Sequence, residues 1–137
     1  MKIDHLKSIF SEFGDNVKFY HDLKKKNWFN IGGKSKVFYK AENLKELINF
    51  LKKLDNKEKL FIIGAGSNIL VNDNTFDGVV IKLGKNFNNI SLLGEDIIIA
   101  GSSVLDKSLS DFALTNNLSG FEFLSGIPGT IGGGIRM

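Results

Sequence analysis

The apolar positions fall into short runs whose period changes along the chain. Leu6, Ile9, Phe10 and Phe13 recur at helical spacing, and Gly14 stops the pattern, which predicts a short packed helix. Lys36-Val37-Phe38-Tyr39-Lys40 has the β-branched and aromatic content of a strand. Asn43-Leu44-Lys45-Glu46 reads as a helix start, with Asn at the cap and Glu three residues on. Leu44, Leu47, Ile48, Leu51 and Leu54 follow at 3.6-residue spacing, a stripe expected to lie on a sheet, with Lys52, Lys53, Lys57 and Lys59 on the solvated side. Leu60-Phe61-Ile62-Ile63 is then a second strand. Residues 37–63 therefore predict a strand–helix–strand unit whose strands pair in parallel. Its expected core contacts include Phe38, Leu47, Ile48, Leu51, Ile62 and Ile63.

Strand character returns at Val79-Val80-Ile81-Lys82-Leu83. A hairpin is expected from Ile90-Ser91-Leu92-Leu93 and Ile97-Ile98-Ile99-Ala100, turning at Gly94-Glu95-Asp96. Glu95 and Asp96 read as solvated turn residues rather than an acid–base pair. Gly101-Ser102-Ser103 is expected to cap a helix carrying Val104, Leu105, Leu109, Phe112 and Ala113, ended by Asn116-Asn117. Six of the fifteen glycines and the only proline lie between residues 120 and 134. Phe121, Phe123, Leu124, Ile127 and Ile131 are interleaved with them, so the stretch is not a flexible linker. Pro128 suits the first position of a helix.

Two of these places carry candidate chemistry. Ile63 runs directly into Gly64-Ala65-Gly66-Ser67-Asn68-Ile69-Leu70-Val71. Gly64 and Gly66 can take positive φ, successive N–H groups in such a loop can converge on an anion, and Ser67 and Asn68 add side-chain hydrogen-bond groups. No Gly-Lys-Ser/Thr follows, and Ile69 stands where a dinucleotide fingerprint needs its third glycine. The residues alone leave open a phosphate cradle and a plain glycine turn. The glycine stretch at 120–134 offers a second such cradle, where a helix start favours phosphate and glycines let a ligand approach.

Composition narrows the class. With 42% hydrophobic and 24% charged residues in 137, the chain reads as one modest globular domain or part of a larger one. It has no cysteine, which excludes thiolate chemistry and disulfides. No apolar run approaches a membrane span, no signal peptide is visible, and a cytoplasmic location is expected. Seventeen of the eighteen basic residues are Lys and the net charge is +3. Nucleic-acid readers lean on arginine, so no nucleic-acid partner is expected, and Lys24-Lys25-Lys26 reads as a solvated turn. His5 and His21 lack ligand partners, so no metal site is expected.

Four stretches together resemble the UDP-N-acetylenolpyruvoylglucosamine reductase family. They are residues 27–33 (Asn27-Trp28-Phe29-Asn30-Ile31-Gly32-Gly33), 64–71, Ala100-Gly101-Ser102, and 120–134. The most specific is Phe121-Glu122-Phe123-Leu124-Ser125-Gly126-Ile127-Pro128-Gly129-Thr130-Ile131-Gly132-Gly133. The resemblance runs from about Leu23 to the end. It implies an α+β chain with an FAD-binding fold of the vanillyl-alcohol-oxidase (PCMH) type, built of two small α/β subdomains, the second incomplete. The implied division is an N-terminal helix and lead-in at 1–22, a first subdomain at 23–72 and a second, truncated one at 73–137, with no substrate domain.

The resemblance also implies an FAD-dependent oxidoreductase that uses NADPH to reduce the enolpyruvyl ether of a UDP-sugar to UDP-N-acetylmuramate, a cytoplasmic step of peptidoglycan synthesis. It places FAD against Gly64, Ala65, Gly66, Ser67, Asn68, Ile69 and Leu70, against Ala100 and Gly101, and against Ser125, Gly126, Ile127, Pro128, Gly129, Thr130, Gly132 and Gly133. The family's catalytic arginine, serine proton donor and acidic residue fall in a part that would follow Met137. Arg136 does not match the arginine's motif, and no catalytic residue is assigned. The expected partners are the UDP-sugar and the C-terminal half of the enzyme, and the 137 residues alone are expected to be inactive. Another flavin oxidoreductase of the same fold, or a truncated non-catalytic remnant, stays open as an alternative.

Overall fold

The structure, a computed structural model, describes residues 3–137. Strands β1 (Val17–Asp22), β2 (Lys34–Ala41), β3 (Leu60–Ile63) and β4 (Phe76–Leu83) form one sheet in the order β1-β2-β4-β3. β1 is antiparallel to β2, and β2, β4 and β3 run parallel. Helices α1 (Ile3–Ile9) and α2 (Leu44–Lys53) pack on one face of this sheet. A separate hairpin of β5 (Ile90–Leu93) and β6 (Ile97–Ala100), then α3 (Asp106–Thr115) and α4 (Ile131–Arg136), complete an α+β chain.

The sheet is covered on both sides, which is why β2 and β4 each carry consecutive apolar residues at their middle, Val37-Phe38-Tyr39 and Val79-Val80-Ile81. One face sends Val37, Tyr39, Val79 and Ile81 against Leu6, Phe10 and Phe50. There the Phe50 ring stacks on Tyr39 at 3.9 Å and on Phe10 at 4.4 Å, an arrangement that adds to simple area burial. The other face sends Phe38, Val80 and Ile63 against Leu23, with Ile69, Val71 and Phe76 at the margin.

Several expectations are corrected here. β2 and β3 are parallel and share a sheet, but they do not pair: β4 lies between them. β4 carries four consecutive buried residues, Gly78 to Ile81: its edges are paired with β2 and β3, and its two faces lie under the two core clusters. α2 is capped as expected, with Asn43 Oδ1 accepting from Glu46 N at 2.9 Å. It is rotated, however, from the expected stripe. Phe50 is fully buried, with Leu47 and Leu54 beside it, while Leu44, Ile48 and Leu51 are exposed. Ile62 is exposed as well, on the edge strand β3, whereas Phe38 and Ile63 are buried.

β1 was not expected, although Val17, Phe19 and His21 alternate with more exposed neighbours. α1 stops at Ile9, and a 3-10 turn spans Ser11–Asn16 with Gly14 at φ 52°. α3 begins at Asp106 with no side-chain cap, so Ser102 and Ser103 do not cap it. The sheet takes in Val17–Asp22 and Phe76–Leu83, on the far sides of the boundaries expected at 22/23 and 72/73.

Candidate functional site

The stretches singled out by their glycines meet in space. Residues 27–33 pack on the loop that follows β3. Trp28 N donates to Gly66 O at 2.9 Å, and Gly33 N donates to Asn72 O at 2.8 Å. Gly66 sits at φ 72°, and a β-carbon there would strike the Lys26 carbonyl oxygen. No other residue than glycine fits both demands. The same loop reaches the second glycine stretch: a β-carbon on Gly64 would lie 2.5 Å from Thr130 Oγ1, and Asn68 Nδ2 lies 3.8 Å from Met137 Sδ.

Residues 101–106 join from the other side. Gly132 N donates to Ser102 O, and Ile131 N to Val104 O, both at 2.9 Å; Asp106 N donates to Gly129 O at 3.2 Å. Thr130 is buried and is the N-cap of α4, with Oγ1 accepting from Gly133 N at 3.3 Å. Pro128 therefore precedes the helix instead of opening it. Beneath Gly129 lies the buried Asp106 carboxyl, 2.5 Å from where a β-carbon would stand. Burial pushes that carboxyl above the usual carboxylate range.

Ten of the fifteen glycines are thus accounted for by the protein's own packing, and Gly14, Gly94 and Gly120 by positive φ. Two are explained by neither: nothing lies within 4 Å of a β-carbon built on Gly126 or Gly134. The backbone donors tell the same story. Among the described residues, the N–H groups of Ala65 to Asn68 and of Leu70 donate to no protein acceptor, and neither do those of Gly129 and Thr130, while Ser67 and Asn68 form a turn. Both groups of donors flank the Gly64–Thr130 contact, so the place where the loops meet can take an anionic ligand. That is the fit a dinucleotide cofactor needs of a backbone cradle.

Not every expected residue comes to that meeting point. Leu70 is 79% exposed and lines, with Ile69 and Val71, a groove of about 430 Å³ floored by Leu23, Ile63 and Val80. Ser125 turns inward on its own 3-10 turn, Oγ donating to Glu122 O at 2.7 Å. Ile127 and Pro128 are exposed beside it, and Ala100 ends β6, paired with Ile90. Two lysines outside the expected site, Lys82 and Lys26, lie on the sheet face next to it. Lys82 was visible as the one charge in Val79-Val80-Ile81-Lys82-Leu83; Lys26 was read as solvated, yet its ammonium lies 5.4 Å from the buried Phe38 ring centroid. Among the described residues, no group of His, Cys, Asp or Glu is placed to hold a metal ion, and no helix is long and apolar enough to cross a membrane.

The chain belongs to the FAD binding domain family, whose profile matches residues 35–137. Relatives extend the match over the whole chain. The UDP-N-acetylenolpyruvoylglucosamine reductase of Pelagibacter ubique is 60% identical over 137 residues, which is all of this chain and 45% of that protein. That of Rickettsia bellii is 49% identical over 119 residues, covering 85% of this chain and 39% of its own length. Among solved structures, UDP-N-acetylenolpyruvylglucosamine reductase from Thermus caldophilus superposes with a TM-score of 0.67 at 28% identity, covering 85% of this chain and 39% of that one. The chain spans less than half the length of these relatives.

Proposed function

We propose that the chain holds FAD where its glycine loops meet, as the FAD-binding portion of an NADPH-dependent reductase. The reaction is the conversion of UDP-N-acetylglucosamine enolpyruvate to UDP-N-acetylmuramate, a cytoplasmic step of peptidoglycan synthesis. The observation that carries the reading is the convergence of residues 64–70 and 129–132, with the unpaired N–H groups of Ala65 to Asn68 and of Gly129 and Thr130 on either side of the Gly64–Thr130 contact. The reductases that resemble this chain, one of them along its whole length, support the substrate.

When bound, FAD supplies the hydride-transfer chemistry. The chain's own residues bind and orient. The 64–70 and 129–130 donors hold the anionic part, and Gly126 and Gly134 leave room for the rest. Contacts from Ala100 and Gly101 and from residues 125–133 belong to the same proposal. So does a two-subdomain organisation, with the second subdomain beginning around the β5–β6 hairpin. UDP-sugar contacts and proton donation fall to the portion of the relatives outside the matched stretch, and no residue of this chain is given a proton-transfer role.

Titration of the protein with FAD, followed by flavin fluorescence, tests the cofactor. Saturable binding is expected. Gly126→Leu should weaken it while leaving the thermal midpoint in place, because the added side chain enters open space in the protein. No binding by the parent, or equal binding by the variant, overturns this placement. NADPH consumption that depends on the enolpyruvyl UDP-sugar tests the reaction in the complete polypeptide.

A further inference from the structure

Lys82 lies where few lysines lie. It sits in β4 opposite Ile63 of β3 on one side and Lys40 of β2 on the other. Side chains alternate along a strand. Since Phe38, Ile63 and Val80 share one face of the sheet, Lys40 and Lys82 share that face too. Lys26 comes down on it from the covering segment, above Phe38. Three ammonium groups are therefore gathered at the carboxyl end of the parallel strands, and Ile63 leads straight from there into Gly64. The Lys26 carbonyl touches Gly66 itself.

Only one of the three is neutralised by an ion pair. Lys40 bonds Glu42 at 2.5 Å, whereas Lys26 and Lys82 form no ion pair among the described residues. Burial, then Lys26 and Lys40, hold the Lys82 ammonium below its ordinary range. A half-buried cation beside two others gains from any anion that reaches it. In open sheets with parallel strands, ligands bind beyond the carboxyl ends of the strands.

We propose that Lys82, with Lys26, forms a cationic wall beside the 64–70 loop and binds the diphosphate of the ligand held there. The inference rests on the cofactor reading above and adds side-chain charge to what was a backbone cradle. It makes Lys82 a binding residue that distinguishes FAD from flavins lacking the diphosphate.

Affinities of the parent, Lys82→Met and Lys82→Arg for FAD and for riboflavin decide the matter. Removing one charge-assisted contact should weaken FAD binding about 10- to 100-fold. Riboflavin binding should not change, Lys82→Arg should keep most of the FAD affinity, and Lys26→Met should repeat the effect. The thermal midpoint of Lys82→Met should stay at or above that of the parent, because a half-buried charge has been removed. Equal FAD affinity in the parent and Lys82→Met overturns the inference and leaves the cofactor reading standing. Loss of riboflavin together with FAD overturns it too, as a structural effect. If the parent binds no FAD, the cofactor reading fails, and inorganic pyrophosphate becomes the probe. Saturable binding seen by phosphorus NMR and lost in Lys82→Met sustains the wall; no binding overturns it.

Discussion

Gly64 and Thr130, 66 positions apart in the chain, are in contact: a β-carbon on Gly64 would stand 2.5 Å from Thr130 Oγ1. Thr130 is buried and holds the first turn of α4, so it has little room to give way. Gly64→Ala should cost about 1–3 kcal/mol by overpacking. Thr130→Ala removes the obstructing hydroxyl at the cost of the cap. The double variant should be more stable than the sum of the two single losses, which thermal unfolding of all four proteins measures. Strict additivity would mean that the loops are not in contact.

Phe50 and Ile48 should respond very differently to truncation. Phe50 is fully buried and stacked between Tyr39 and Phe10, while Ile48 is 42% exposed on the neighbouring face of α2. Phe50→Ala should cost about 3–5 kcal/mol, and Ile48→Ala well below that. Denaturant midpoints would reveal the order, and the reverse order would restore the helix orientation that the leucine stripe predicts.

Asn43 satisfies the start of α2 twice, accepting from Glu46 N and donating to Glu46 Oε1 at 2.8 Å. Asn43→Ala should cost about 1 kcal/mol, and Asn43→Asp or Asn43→Ser should retain most of it. Thermal melts of the three variants are the measurement.

The Tyr39 hydroxyl is buried with no hydrogen-bond partner. Burial first, then Glu46 and Glu42, push it up from 10.0 to about 12. The native state therefore holds this proton more tightly than the unfolded chain does. Its contribution is fully present below pH 10 and is lost as the pH rises through about 12. At most, about 2–3 kcal/mol goes that way. Tyr39→Phe should be neutral to stabilising near pH 7, since no hydrogen bond is broken, and should flatten the alkaline loss relative to the parent. An equally steep alkaline loss in Tyr39→Phe would assign the titration to another group.

The sequence by itself determined the kinds of element and the pieces of the cradle. Residues 44–53 are helical, residues 60–63 and 79–83 are strand, and the hairpin turns at 94–96, because each depends on a local period or a turn residue within a few positions. The glycine stretches at 64–70 and 120–134, and their resemblance to one family, were legible for the same reason. Tertiary structure decided what depends on partners far along the chain. It put β4 between β2 and β3, although β3 is apolar at every position, and left Leu60, Phe61 and Ile62 exposed on the edge while Gly78 to Ile81 are buried. It turned α2 so that Phe50 lies against Tyr39, since ring stacking outweighs a row of leucines. It also decided which glycines are closed off by Thr130, Asp106 and the Lys26 carbonyl, and which stay open at Gly126 and Gly134. Lys26 and Lys82 came together the same way: 56 residues of chain separate them, and only the pairing of β2, β3 and β4 puts both ammonium groups on one face beside Gly64.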